Sequence, residues 1–320
     1  MKLCTDDIVK DLMRWEKVYL RFIKGQRYSE NTVKIYTYAI SLFIEYAREE
    51  LEEINIDEIN ELYISGFFVY LEELSEKRGY KKNIEGNFLM DSTKGAYFKG
   101  IASFFKFIGK NNNEKHSFLQ DYEDIKITNK QSKPHEYLNA DEIKRLVHYL
   151  EKKISLKPNF LNYRNALLIK LMLFSGLRIS EALGVKMNDF TLLEEKGLYK
   201  IRIYGKGGYQ QDAYIALDKI LNEINYFKEN LSVGSFIMVT NKGTKLNRSN
   251  TYTMINLIYK KAHIFKTGQH ILRHSLAMML IKRKVPITTI QKTLRHTSIT
   301  STTIYARAGI DEVAEALTQN

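Results

Sequence analysis

Cysteine and proline are scarce in this chain of 320 residues, which contains one Cys and three Pro. The single thiol, Cys4, cannot form an internal disulfide, and no cysteine cluster is available for a structural zinc ion. Few prolines permit long helices. The N-terminus is charged from Lys2 onward, unlike a secretory signal. The most apolar run, residues 166–177, contains Lys170 and is too short to cross a bilayer. These features predict a reduced, soluble, cytoplasmic protein.

Acidic residues are outnumbered by basic ones, with 37 Asp and Glu against 49 Lys and Arg, and the formal charge is +12. Residues 1–130 carry about −2 and residues 131–320 about +14 of this charge. A basic second half predicts a polyanionic partner, and nucleic acid is the commonest one inside cells. A surplus of lysines that serves only solubility is the alternative.

The first part of the chain has apolar residues at helical spacing. Helices are predicted at residues 6–24, 29–48, 56–79 and 91–109. Four helices in so short a stretch predict an all-α N-terminal domain, residues 1–110. Residues 111–135 are polar and weakly periodic, which predicts a linker between domains.

Residues 136–320 are predicted to form a second domain, mainly helical with a small antiparallel β-sheet. Asn139 followed by Glu142 is typical of a capped helix start. Two β patterns, at 198–204 and 212–216, flank a glycine-rich turn at 205–208 and predict a hairpin. Helices are predicted at residues 140–153, 160–175, 179–185, 217–229, 248–263, 270–283, 287–294 and 311–318.

Two short motifs contain residues capable of chemistry. In the sequence GLRISE, Arg178 and Glu181 stand three residues apart, and a surface ion pair is the simplest interpretation of that pair alone. In the sequence HILRH, His270, Arg273 and His274 share one helical face. The two histidines have the spacing of a zinc site, but a glutamate at 271 and a third ligand are both missing, so no metal site is predicted.

A third motif, LRHTS, contains Arg295 and His296 and is followed by Tyr305. One tyrosine among 21 is unremarkable. The order of the motifs along the chain is more informative. With Lys206 of the glycine-rich turn included, the ordered set is Arg178, Lys206, His270, Arg273, His296 and Tyr305.

In this order the motifs resemble those of the tyrosine site-specific recombinases of the phage integrase family, above all the short two-domain Xer type. Each motif alone is weak, but their joint occurrence across residues 171–305 is specific. The resemblance implies an all-α, four-helix core-binding (SAM-like) domain followed by a mostly helical catalytic domain with the DNA breaking–rejoining fold. Residues 1–110 match the family only in architecture.

The resemblance implies a role for each residue of the set. Arg178 and Arg273 bind the scissile phosphate through planar, bidentate guanidinium groups, and His296 adds a hydrogen bond. Tyr305 is the nucleophile and forms a covalent 3′-phosphotyrosine.

Proton transfer is assigned to two further residues of the set. His270 is the base that activates the phenol, and Lys206 protonates the departing 5′-oxygen. Glu181 orients Arg178 or His270. No metal or other cofactor is expected, because the arginines supply the positive charge.

The chain departs from the family pattern at two places. Arg295 stands where the family usually has glycine, and Tyr209 follows the 205–208 turn, where related chains often have Lys or Arg. Basic residues interleaved with tyrosines predict a DNA-binding surface. The predicted DNA contacts are Arg27, Lys34, Lys94, Lys99 and Arg295.

The resemblance further implies double-stranded DNA with inverted half-sites as the partner, bound by a homo-tetramer on two duplexes with a dimer at each site. The short stretch before the first domain leaves no room for an arm-binding domain, which favours Xer-like resolution of chromosome dimers, with a DNA translocase as a candidate activator. A helix at 311–317 is expected to dock on a neighbouring protomer. A mobile-element integrase or excisionase, a type IB topoisomerase, a non-catalytic DNA-binding protein and an RNA-binding protein stay open as alternatives.

Overall fold

The structure is a computed structural model, which describes residues 1–4, 7–26, 28–49, 54–83, 86–118, 136–205 and 209–295. The chain divides into two compact units, Met1–Gln131 and Ser132–Asn320. Most of the predicted linker, residues 119–135, lies outside the described part, so the limits 1–110, 111–135 and 136–320 stay predictions. In the ranges that are described, no helix is long and apolar enough to cross a membrane.

The first unit contains four α-helices within its described residues. They are α1 (Ile8–Gly25), α2 (Glu30–Glu49), α3 (Glu61–Lys77) and α4 (Asp91–Asn111). The single helix predicted over 56–79 is instead two pieces, a 3-10 turn at Ile56–Glu58 and then α3. The helices separate because Asn60 is extended and its side chain accepts a hydrogen bond from the Tyr63 N–H, which caps α3.

Aromatic rings form the core of the first unit. The Phe43 ring meets those of Phe67 and Phe105 edge-to-face, with centroids 5.0 and 5.5 Å apart. Trp15 and Phe118 are also fully buried. The Phe118 ring centroid lies 5.1 Å from that of Phe105, with the two planes tilted by 52°, so the chain beyond α4 still packs on this unit through residue 118.

The second unit is mainly helical with a three-stranded antiparallel sheet in the order β1-β2-β3. Its elements are α5 (Ala140–Leu156), α6 (Phe160–Phe174), α7 (Ile179–Ala182), β1 (Phe190–Leu193), β2 (Leu198–Tyr204), β3 (Gln210–Ala216), α8 (Leu217–Asn230), α9 (Arg248–Lys261), α10 (His270–Lys282) and α11 (Ile287–Leu294). Ile201 of β2 lies opposite Phe190 on one side and Ala213 on the other. The predicted hairpin therefore forms, and β1 adds a strand that the sequence patterns did not indicate.

Helix α6 is the centre of this unit and is buried along most of its length. Helices α5, α8 and α10 pack against it. Lys170, which interrupts the apolar run, places its Nζ 2.8 Å from Oε1 of the buried Glu223. A buried charge is tolerated when it is paired, so Lys170 is compatible with the core position.

Gly176, just after α6, brings the end of that helix against α10 and α11. Its φ is +62°, and a Cβ there would lie 2.8 Å from Cδ2 of Leu294 and 3.0 Å from Cδ2 of Leu276. A side chain is disfavoured by the backbone conformation and by these neighbours. Glycine at 176 therefore lets the three motif-bearing segments meet.

Candidate active site

Arg178 and Glu181 form a hydrogen-bonded pair at the start of α7. Arg178 is the N-cap residue, and its backbone N–H donates to Glu181 Oε2 at 2.8 Å. Its Nη1 donates to Glu181 Oε1, also at 2.8 Å. The Glu181 side chain is 2% exposed, whereas that of Arg178 is 39% exposed. A buried carboxylate thus holds a guanidinium that still reaches solvent.

Arg273 enters the same site from α10. Its side chain is buried, and its guanidinium donates to the backbone carbonyls of Gly176 and Leu294. Arg178 Nη2 donates to the next carbonyl, that of Arg295, at 3.2 Å. Two arginines that are 95 residues apart therefore bind consecutive peptide groups at the end of α11.

His270 is the first residue of α10, one turn before Arg273. Partial withdrawal of its ring from water lowers the pKa of His270, and the positive charges of Arg248 and Arg273 lower it further. A lowered pKa keeps the imidazole neutral near neutral pH, the form that accepts a proton. Arg248, the first residue of α9, was not identified from the sequence because it belongs to no motif.

The pKa of Glu181 is also shifted. Burial raises it, but hydrogen bonds from the backbone and side chain of Arg178, together with the charges of Arg295 and Arg178, outweigh burial and lower the pKa of Glu181 overall. Glu181 is therefore ionised at neutral pH and neutralises part of the charge of two guanidinium groups.

Arg295 is directed into the protein. Its guanidinium donates to the carbonyls of Ser175, Gly176 and Thr293 and to Glu181 Oε2, at 2.9 to 3.3 Å. Its side chain is 7% exposed. Four protein acceptors thus hold this guanidinium, and the DNA contact predicted for Arg295 stays a prediction.

Several predicted site residues fall outside the described residues. These are Arg27, Lys206, His296, Tyr305 and the helix at 311–317, and their roles stay predictions. Residues next to two of them are described. Tyr204 pairs with Gln210 across the hairpin, and residue 295, at the end of α11, immediately precedes His296.

The cations predicted to contact DNA in the first unit differ in their surroundings. Lys34 on α2 and Lys99 on α4 are exposed. Lys94 is mostly buried and lies 2.6 Å from Glu72, whose carboxylate also accepts from the backbone N–H groups of Phe88 and Leu89. The geometry therefore gives Lys94 a partner inside the protein.

A metal centre was not expected, and the two histidines of the HILRH motif were its best candidates. Within the described part of the chain, no group of three His, Cys, Asp or Glu side chains is close enough to hold a metal ion.

Comparison with known proteins identifies the family. Residues 136–310 match the phage integrase family. The chain is 31% identical over 242 residues to the tyrosine recombinase XerH of Campylobacter jejuni, an alignment that covers 70% of this chain and 64% of that protein. The chain thus spans less than two thirds of the length of this relative.

Solved structures share the fold. A XerH site-specific recombinase bound to a palindromic difH substrate superposes with a TM-score of 0.74 and 24% identity, over 98% of this chain and 97% of that chain. A lambda integrase tetramer bound to a Holliday junction gives a TM-score of 0.61 and 16% identity, over 90% and 78%. The family match covers more than half of the sequence and includes all three motifs, and the chain belongs to the phage integrase family.

Proposed function

We propose that this protein is a tyrosine site-specific recombinase, which breaks and rejoins DNA through a covalent 3′-phosphotyrosine at Tyr305. The observation that supports this most directly is the meeting of Arg178 and Arg273 at the carbonyls of residues 294 and 295. Those carbonyls immediately precede His296 in the sequence. Three motifs that are far apart in the chain thus converge on one site.

The arginines supply the electrostatic part of the reaction. Attack on a phosphodiester develops negative charge on the non-bridging oxygens, and fixed cationic donors stabilise that charge. Arg178 is anchored by Glu181 and remains 39% exposed, which suits a group that binds both a protein carboxylate and a phosphate. Because the donors are held before DNA arrives, little reorganisation is needed in the transition state.

The proposed chemical step transfers a phosphoryl group of the DNA backbone from the 5′-oxygen to Tyr305. The Tyr305 oxygen attacks phosphorus, the Tyr–O–P bond forms, and the bond to the 5′-oxygen breaks. His270 accepts the phenolic proton, which its lowered pKa favours, and Lys206 donates a proton to the departing oxygen. Reversal of these steps with a different 5′-hydroxyl rejoins the strands, so the bond energy is conserved and no cofactor is consumed.

The proposed partner is double-stranded DNA with inverted half-sites, bound by a homo-tetramer on two duplexes. The relatives named above include XerH on difH and lambda integrase as a tetramer on a Holliday junction. Similarity to XerH favours a Xer-like role in chromosome dimer resolution, and a mobile-element integrase has the same chemistry. A helix at 311–317 that docks on a neighbouring protomer is part of this proposal.

Covalent trapping on DNA tests the proposal. The protein is incubated with nicked duplexes from the terminus region of its own genome, and denaturing gels compare it with Tyr305→Phe. A covalent band that requires Tyr305 supports the proposal. Specific binding by the wild type without any covalent band on nicked or intact sites contradicts it and favours a non-catalytic DNA-binding protein.

The topology of the products separates the remaining alternatives. A recombinase joins two duplexes that carry the same site and yields recombinant molecules. A type IB topoisomerase relaxes supercoils without pairing sites. Exchange of flanking sequences between two labelled duplexes supports recombination, and relaxation without exchange contradicts it.

A further inference from the structure

Arg295 stands where the family usually has glycine, and its backbone adopts the conformation that glycine prefers. Its φ is +54° at the C-cap of α11, in the left-handed region that disfavours side chains with a Cβ. An arginine at such a position has a conformational cost, which contacts of its side chain can offset.

The Arg295 guanidinium contacts the structural supports of the catalytic arginines. It donates to Glu181 Oε2 at 3.2 Å, and the same carboxylate receives Arg178. It also donates to the carbonyl of Gly176 at 3.1 Å, the carbonyl that Arg273 binds. Each catalytic arginine therefore shares one acceptor with Arg295.

The Arg295 backbone is part of the same network. Its carbonyl accepts from Arg178 Nη2 at 3.2 Å, and its peptide group leads directly to position 296. The side chain and main chain of one residue thus link Glu181, Gly176 and Arg178.

We propose that Arg295 is a positioning residue for the phosphate-binding site, which fixes Glu181 and the Gly176 carbonyl so that Arg178 and Arg273 are held in place before DNA binds. This inference rests on the proposed recombinase function. Arg295 is not proposed to touch DNA. A planar guanidinium has donors on several edges and can serve four acceptors at once, whereas a lysine ammonium cannot reproduce that fork.

Arg295→Gly and Arg295→Lys test the proposal. The glycine variant accommodates the positive φ and removes only the side chain, and the lysine variant keeps the charge without the fork. Arg164→Lys is the matched control. Arg164 is another buried arginine of this unit, whose Nη1 donates to the Val239 carbonyl at 2.6 Å, and it has no part in the site.

Three quantities are measured for each protein: the affinity for a half-site duplex, its dependence on salt, and the single-turnover rate of covalent complex formation. Both Arg295 variants are expected to form the covalent complex about 10- to 100-fold more slowly, the loss expected for a charge-assisted hydrogen bond. DNA affinity and the salt slope should stay at wild-type values, because no phosphate contact is lost. Arg164→Lys should have a lower midpoint of thermal unfolding and a wild-type rate at a temperature where it is folded.

The experiment separates failure of the positioning role of Arg295 from failure of the proposed recombinase function. If the wild type forms no covalent complex, the recombinase assignment fails. If the wild type reacts and Arg295→Lys reacts equally fast, the positioning role is overturned, because charge alone suffices. Weaker DNA binding with a salt slope reduced by about one, at an unchanged rate of cleavage, also overturns it and identifies Arg295 as a phosphate contact.

Discussion

Glu181 holds Arg178 through both of its oxygens, one bound to the backbone N–H and the other to the guanidinium, each at 2.8 Å. The pair is at once a helix cap and the anchor of the arginine that we propose binds the scissile phosphate. The same carboxylate also receives Arg295. The network makes Glu181 the group on which the geometry of the site depends.

Glu181→Gln should therefore have a larger effect on the rate of covalent complex formation than on the free energy of unfolding. The amide keeps the shape but removes the charge that binds two guanidinium groups, so the rate of covalent complex formation should fall about 10- to 100-fold. Glu142→Gln is a matched control, since Glu142 accepts from the Asn139 N–H at 2.8 Å and pairs with Lys266 at 2.6 Å. Both variants are expected to lose about 1–2 kcal/mol of unfolding free energy. Equal cleavage rates for the two variants would contradict the role of Glu181.

Arg273→Lys should leave DNA bound but largely uncleaved. The guanidinium binds two carbonyls from different segments, which an ammonium cannot reproduce. By analogy with loss of one oxyanion donor, the cleavage rate is expected to fall by about 10²–10³. Arg202→Lys, which alters an arginine paired with Asp189 at 3.1 Å in the small sheet, should cleave normally. Cleavage at the wild-type rate by Arg273→Lys would contradict the proposed role of Arg273 in the site.

The pH dependence of cleavage reports on His270. Its pKa is lowered, so the neutral base persists to lower pH, and the rate should fall only as the pH drops through this lowered value, below the ordinary range of a histidine. Arg248→Gln removes a repelling charge and should move this acid limb to higher pH, whereas Arg248→Lys should leave it in place. The position of the limb under limiting DNA is measured, because it reports the free protein. A limb that Arg248→Gln does not move contradicts the assignment of His270 as the base.

Salt dependence distinguishes the three lysines of the first unit that were predicted to contact DNA. Lys34→Ala and Lys99→Ala should each weaken binding and reduce the slope of log affinity against log salt by about one. Lys94→Ala should change the slope less and destabilise the fold, because Lys94 is paired with Glu72. Thermal unfolding and binding titrations at several salt concentrations measure both effects. A full unit of slope lost in Lys94→Ala would show that this lysine releases Glu72 to meet DNA.

Most of the helices were predictable from the sequence, because their apolar residues recur at helical spacing or, in α6, form a long apolar run. Strand β1 was not, since four residues after a 3-10 turn have no alternation to detect. The break before α3 was also missed, because the apolar pattern continues through Asn60 and only the extended backbone of that residue shows the cap.

For the described residues of the candidate site, the sequence pointed to individual side chains more readily than to the contacts between them. The motifs indicated Arg178 and Arg273, and the ion pair with Glu181 followed from spacing. The inward direction of Arg295 was not predictable, because three of its four acceptors, the carbonyls of Ser175 and Gly176 and the carboxylate of Glu181, are distant from it in the sequence. Burial of a charged side chain depends on such tertiary acceptors, and no local pattern encodes them.

Mapping of the protein–DNA adduct identifies the residue that attacks DNA. Trypsin cleavage after Arg295 and Arg307 releases residues 296–307, a peptide in which Tyr305 is the only tyrosine and several Ser and Thr residues are alternative nucleophiles. After trapping and nuclease digestion, we expect the mass spectrum of this peptide to show a nucleotide joined through its 3′-phosphate to Tyr305. A nucleotide on a Ser or Thr of the peptide, on another tyrosine, or linked through a 5′-phosphate would contradict the assignment of Tyr305 as the nucleophile.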